Sequence, residues 1–282
     1  MKVDQINSFK VGNLIKGFFL CKEKYFKNTR IGDPFIDVII GDSTGEIRCK
    51  IWKNAYFYNE KFNVGDPVAI KGNIINYNNK IEIDIKNISS IKDSEYDEYG
   101  YTESLIVKNI DTSYKKSWKI IDENIKSLSG DYKMIVSYLY KKYKSKIITI
   151  PSYDTKYELH GGFIVKIANI FKINDRLIPL FKYLDKNKVI SGILLKDIGC
   201  IKYFNKDLMF SISKEGKFLD VSTLGVNLFN SEVSIMKTLG DDASLFCQHI
   251  ISVNDNSPDL EANYINMLFK LDSQLLNTAD FN

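Results

Sequence analysis

Apolar and polar residues alternate strictly over Glu46–Trp52, with Ile47, Cys49 and Ile51 on one side and Glu46, Arg48, Lys50 and Trp52 on the other. A period of two marks a strand with one buried face. Val11–Lys22 and Pro34–Ile40 read as strands before it, with a turn at Gly41-Asp42-Ser43-Thr44-Gly45. Val68–Tyr77 and Lys80–Ile88 read as a hairpin turning at Asn78-Asn79. Its second strand sets Ile81, Ile83 and Ile85 against Glu82, Asp84 and Lys86. A short helix is expected over Asn54–Phe62, followed by a turn at Val64-Gly65-Asp66-Pro67. Five strands with a helix between the third and fourth is the order of an OB-fold, a small Greek-key barrel. A generic small β-barrel is the alternative.

Beyond residue 112 the period lengthens to that of a helix. Lys116–Leu128 carries Trp118, Ile121, Ile125 and Leu128, and Asp131–Lys144 carries Met134, Ile135, Tyr138 and Leu139, with Gly130 breaking between them. Helices are also expected over Gly162–Phe171, Asn187–Ile198, Leu228–Leu239, Ala243–Val253 and Leu260–Leu276. Met209–Thr223 is less regular and reads as a hairpin or loop. The acidic stretch 93–103 contains Gly100 and reads as linker. The expected organisation is therefore a multi-domain α and β chain: an N-terminal five-stranded OB-fold barrel over 1–92, a linker over 93–111, and a mostly α-helical domain over 112–282.

With 44% hydrophobic and 26% charged residues, the chain has the composition of a folded protein rather than a disordered one. No apolar run approaches the ~20 residues that a spanning helix needs. The N-terminus has neither an uninterrupted apolar core nor a small-residue cleavage site, so no membrane association and a cytoplasmic location are expected. Cys21, Cys49, Cys200 and Cys247 are scattered, without a C-x-x-C pair, and are expected as buried thiols. The net charge is +5 over residues 1–92 and −1 over the rest, which directs any polyanion to the first half. Residues 108–146 are locally basic and 207–282 acidic. Richness in Lys, Asn, Ile and Tyr fits AT-biased coding, as a phage or mobile element would have.

Barrels of this kind hold single strands with basic grooves and aromatic platforms, because every base offers a π-face and every phosphate a charge. Arg48, Lys50 and Trp52 share one face of the third strand. Lys16 and Phe18 share a face of the first, and Lys71 and Tyr77 one of the fourth. Phe35 lies on the second strand, on the same face as Asp37, which weakens a phosphate track there. These eight residues, Asp37 excluded, are the candidate nucleic-acid-binding set. Packing under the short helix is the competing reading for Trp52, and a merely solvated face for the cations. The expected partner is single-stranded DNA or RNA, with protein docking or self-association through the helical domain.

DPFIDVIIGDSTGEIRCKIW followed by VGDPVAIKGNIINYNNKIEIDIKNI resembles the OB-fold of YhaM-type exoribonucleases, which join that barrel to a C-terminal HD phosphohydrolase domain. The resemblance extends through most of the chain. It includes Gly161-Gly162, Leu194-Leu195-Lys196-Asp197-Ile198-Gly199-Cys200, Ile250-Ile251-Ser252, Ser257-Pro258, Glu261-Ala262 and Leu271-Asp272-Ser273. It implies RNA as the ancestral ligand and a degenerate HD-like domain over 112–282.

HD enzymes hydrolyse phosphodiesters at one or two divalent metals held by His and Asp. In the resemblance, the imidazole positions are taken by Lys156, Tyr157, Lys166, Lys196, Gln248, Val253 and Asn254. A protonated lysine has donors only and cannot ligate. Asp197 alone remains of the central His-Asp pair, as the one candidate catalytic acid. His160, Asp197 and His249 are the candidate metal ligands, with Mn or Mg implied only if that site works. The competing reading makes Asp197 a structural acid paired with Lys166 or Lys196. Neither a phosphate-binding Gly-rich Lys loop nor a G-x-S-x-G elbow occurs. The reading is thus a single-strand-binding protein without catalysis or cofactor. The alternatives are a metal-dependent 3′-5′ exonuclease with a rebuilt site, and a protein-interaction module with no nucleic-acid role.

Overall fold

The computed structural model describes residues 3–92, 95–107, 114–205, 208–234, 240–253 and 256–279, with side chains to 274. It divides into one unit of Met1–Asn109 with Asp207–Met209, and a second of Ile110–Lys206 with Phe210–Asn282. The strands of the first unit are β1 (Leu14–Asn28), β2 (Pro34–Asp42), β3 (Gly45–Ile51), β4 (Pro67–Tyr77) and β5 (Lys80–Ser90), and α1 (Ala55–Asn59) lies between β3 and β4. They close into a barrel in the order β1-β2-β3-β5-β4, so the expected fold class is the observed one.

Strand β1 makes closure possible because it is long enough to pair twice. Leu14–Leu20 pairs antiparallel with β4, and Leu20–Asn28 with β2, the register slipping between Cys21 and Glu23. Inward-facing Ile15, Phe19, Ile36, Val38, Ile40, Ile47, Cys49, Ile51, Ile70, Ile74, Ile83 and Ile85 fill the interior. Asn78 and Asn79 both take positive φ, as a two-residue hairpin turn matched to strand twist requires. At the other tight turn, Asp42 Oδ1 accepts from the backbone N–H groups of Thr44 and Gly45 at 2.7 and 3.0 Å.

The acidic stretch read as linker has structure of its own. It carries a single 3-10 turn at Asp97–Tyr99 and α2 (Glu103–Ile106). Ile91, Ile106 and Val107 bury outward-facing Phe18 and Leu20 of β1, with Tyr96 and Tyr101 against Phe18. Residues 93–94 and 108–111 of the expected linker lie outside the described residues.

The second unit is helical: α3 (Tyr114–Ser127), α4 (Gly130–Lys142), α5 (Lys144–Ile147), α6 (Gly162–Leu177), α7 (Lys186–Leu195), α8 (Cys200–Tyr203), α9 (Val221–Val233), α10 (Asp241–Ser252) and α11 (Leu260–Ala279). Helix α6 runs through its core, burying Phe163, Ile164, Ile167, Ile170 and Phe171. Its entry explains Gly161-Gly162. Gly161 has φ +76°, and a Cβ on Gly162 would stand 1.9 Å from the Tyr157 carbonyl oxygen. Gly199 is equally constrained, because a Cβ there would collide with the Val221 carbonyl oxygen at the start of α9. Helix α9 begins seven residues earlier than the apolar spacing predicts, at Val221 rather than Leu228. The start is set by Asp220, whose side chain accepts from Thr223 N–H at 2.6 Å. The expected end of that helix, 235–239, lies outside the described residues. No helix among them is long and apolar enough to cross a membrane.

Candidate nucleic-acid interface and the acid cluster of the helical unit

On the outer face made by the second half of β1 with β2, β3 and β5, charge and aromatic surface interleave. Phe35 of β2 stacks on Trp52, just past β3, with centroids 4.8 Å apart and planes 24° apart. Trp52 is 42% exposed, so it is a platform rather than a core residue. Lys50 Nζ sits 3.8 Å from the Tyr77 ring centroid and 5.6 Å from that of Trp52. Two buried acids aim the cations. Asp37 takes Lys27 Nζ at 2.7 Å and Arg48 Nε at 3.0 Å, and Glu82 takes Lys50 Nζ at 2.8 Å. The register places these residues together, since Asp37 is opposite Lys50 across β2–β3 and Lys50 opposite Asp84 across β3–β5.

Five of the sequence candidates therefore meet on this face: Phe35, Arg48, Lys50, Trp52 and Tyr77. Asp37 does not interrupt it, because the carboxylate is buried beneath the two cations that it orients. The other three lie elsewhere. Lys16 and Lys71 face outward on the β1–β4 pairing, opposite one another. Phe18 is 5% exposed, its ring edge-to-face on Tyr96 and Tyr101, so it offers no open face to a base. Lys27, with Tyr25 beneath it at 5.0 Å, belongs to the interface and was not among the candidates. The signal was the run Lys24-Tyr25-Phe26-Lys27, which continues β1 beyond its expected end at Lys22.

In the helical unit, Lys166 of α6 is buried among acids. Its Nζ donates to Asp197 Oδ2 at 2.9 Å and lies 3.8 Å from Asp154 Oδ2. Burial alone would lower the Lys166 pKa, but Asp197, Tyr153 and Asp154 together outweigh it and hold the ammonium above its usual value. Tyr157 donates its hydroxyl to Asp272 Oδ1 at 3.1 Å and accepts from Asn169 Nδ2 at 3.1 Å. Asp272 is pushed up to about 6 by burial, which outweighs the Tyr157 hydrogen bond and the nearby Lys166 charge. Lys196 Nζ donates to Val253 O at 2.7 Å. Of the two pairings open to Asp197, the structure makes the one with Lys166.

The resemblance implies a divalent metal here, and the donor set does not fit one. Asp197 faces an ammonium that has no lone pair to give, and Asp272 is engaged by a phenol. His249 Nε2 is hydrogen-bonded to Ser257 Oγ at 2.7 Å, and the His160 ring lies against Phe210 at 5.3 Å. Among the described residues no three His, Cys, Asp or Glu side chains are gathered to hold a metal, so His160, Asp197 and His249 do not form a site. All four cysteines are buried and unpaired, and burial pushes Cys21 and Cys247 up to about 12.

Residues 22–91 match the family model described as an OB-fold nucleic acid binding domain of the tRNA anti-codon type. The second OB-fold domain of replication protein A from Methanococcus maripaludis is 18% identical, covering 33% of this chain and 98% of that one, with a TM-score of 0.28. A replication protein A heterotrimer bound to ssDNA is 17% identical over 33% of this chain and 66% of that one, TM-score 0.26. The 3′-5′ exoribonuclease YhaM of Shouchella clausii (strain KSM-K16) is 24% identical over 253 residues, 87% of this chain and 76% of that protein. The resemblance read from the sequence thus holds: the barrel matches OB-fold nucleic-acid-binding domains, and most of the chain is similar to a YhaM exoribonuclease.

Proposed function

We propose that the protein binds single-stranded nucleic acid across the outer face of β1, β2, β3 and β5, and that its helical unit is a scaffold or docking body without metal-dependent phosphodiester chemistry. The observation that carries the first half is the interleaving of Lys27, Arg48 and Lys50 with exposed Trp52, stacked on half-buried Phe35, and Tyr77. Bases lie on the rings and phosphates run along the cations, each ring worth about 1–3 kcal/mol per base. Similarity to an exoribonuclease favours RNA, with DNA as the comparison. The second half rests on Lys166, a donor-only group among the acids that a metal would need.

The test is fluorescence anisotropy of an end-labelled strand about 20 nucleotides long, beyond the ~4–16 that one such barrel covers. RNA and DNA are titrated in parallel in manganese buffer and followed in time. A stable rise, weakened by salt and by Trp52→Ala, supports the reading. Absence of a rise overturns the strand-binding half and leaves a protein-interaction module. A rise that decays as the strand shortens overturns the second half.

A further inference from the structure

Lys16, Phe18, Ala69, Lys71, Asn87 and Ser89 form a second outward-facing block of the barrel, on β1, β4 and β5. They are alternate residues on neighbouring strands. Lys16 stands opposite Lys71 and Phe18 opposite Ala69, while Lys71 stands opposite Asn87 and Ala69 opposite Ser89. The block floors a concavity of about 200 Å³ walled by Tyr96 and Tyr99.

Its electrostatics differ from those of the first face. Directly paired residues on antiparallel strands have Cβ atoms about 4.5–5.5 Å apart, where like charges repel. Lys27, Arg48 and Lys50 each have a carboxylate partner, but among the described residues neither the Lys16 nor the Lys71 ammonium forms an ion pair or side-chain hydrogen bond. Asp4, beside Lys16, spends its carboxylate on the Lys16 backbone N–H at 3.2 Å. Asp97 and Glu98 lie between the two tyrosines in a 3-10 turn, in which residues three apart eclipse. Tyr96 and Tyr99 therefore share the side facing the concavity, and the acids do not line it. Asn87 Oδ1 accepts from Tyr58 at 3.4 Å, which leaves its NH2 group to donate.

We propose that this concavity is a second nucleotide site, distinct from the Phe35–Trp52 face. A phosphate bridges Lys16 and Lys71 with Asn87 donating to it, and the attached nucleoside lies against Tyr96 and Tyr99, the latter 53% exposed. The phosphate of a free nucleotide and that of a strand present the same chemistry.

The experiment is calorimetric titration of the full chain with adenosine 5′-monophosphate, using adenosine as the uncharged control. Lys16→Gln/Lys71→Gln, two exposed substitutions, is expected to weaken monophosphate binding by about tenfold or more, equivalent to ~1.4 kcal/mol. Lys16→Arg/Lys71→Arg, which keeps both charges, is expected to retain it. The proposal is overturned if the monophosphate does not bind at millimolar concentration, if adenosine binds equally well, or if Lys16→Gln/Lys71→Gln binds like the wild type. In a parallel arm, loss of strand affinity in Lys16→Gln/Lys71→Gln makes the strand the source of the phosphate, and unchanged strand affinity makes it a free nucleotide. Because Trp52→Ala probes only the first face, failure of that reading would leave the monophosphate result standing.

Discussion

Lys166 Nζ and Asp197 Oδ2 stand 2.9 Å apart inside the helical unit, with side chains 3% and 4% exposed. Removing one partner of such a pair strands the other charge in the interior, a loss of about 3–5 kcal/mol. Lys166→Met should therefore destabilise the protein by that order in urea unfolding. Lys166→Met/Asp197→Asn should recover much of the loss, because the bare Asp197 carboxylate is then gone and the neighbouring Asp154 keeps its hydrogen bonds from Ser273 Oγ and the Lys156 N–H. Additive effects in that double-mutant cycle would mean that the two groups are not coupled.

Trp52→Ala removes one ring of the Phe35–Trp52 stack and leaves the ion pairs of Asp37 and Glu82 intact. Strand affinity should fall by about 1–3 kcal/mol, the usual worth of a base–aromatic stack. Phe35→Ala should cost less once Trp52 is gone, because the two rings form one platform. Titration of the single and double variants with labelled RNA reads both effects.

Salt should weaken the strand complex in proportion to the phosphates engaged. Three cations on the face, at about 0.7 per phosphate for single strands, give a slope of log K against log salt near −2. Arg48→Gln should reduce its magnitude by about 0.7. A slope unmoved by Arg48→Gln would remove that residue from the phosphate track.

Asp272 gives the helical unit a pH signature. Burial raises its carboxyl to about 6 in the folded state, against about 3.9 for an unfolded aspartate. Between those values the folded state holds a proton that the unfolded state has released. This contribution to stability is therefore full below that window and is lost as pH rises through about 6. Thermal unfolding midpoints measured from pH 4 to 8 should show that decline, and Asp272→Asn should flatten it.

The barrel was legible because its strands alternate cleanly, Glu46–Trp52 most of all. Strand β1 was read short because Lys22, Glu23 and Lys24 follow in succession where the register slips, so the alternation breaks just where the strand changes partner. That slip hid Lys27. The grouping of Lys16, Phe18 and Lys71 with the other candidates had a different cause. Residue parity gives inside or outside of a strand, but not which side of a closed barrel an outward residue occupies. In the helical unit, the resemblance located Lys166 and Asp197 and the sequence offered their pairing, while the choice between Lys166 and Lys196 as the partner required the packing that only folding supplies. The start of α9 was missed because apolar spacing is silent about an N-cap such as Asp220.

Asp37 holds Lys27 through one oxygen and Arg48 through the other. On a strand-binding face this makes each encounter an exchange: an arriving phosphate takes a cation from an internal anion instead of finding a bare charge. When the phosphate leaves, Asp37 reclaims the cation, so departure exposes no unbalanced group. Under the proposed strand-binding reading, such paired cations favour short residence on a strand over a permanent clasp.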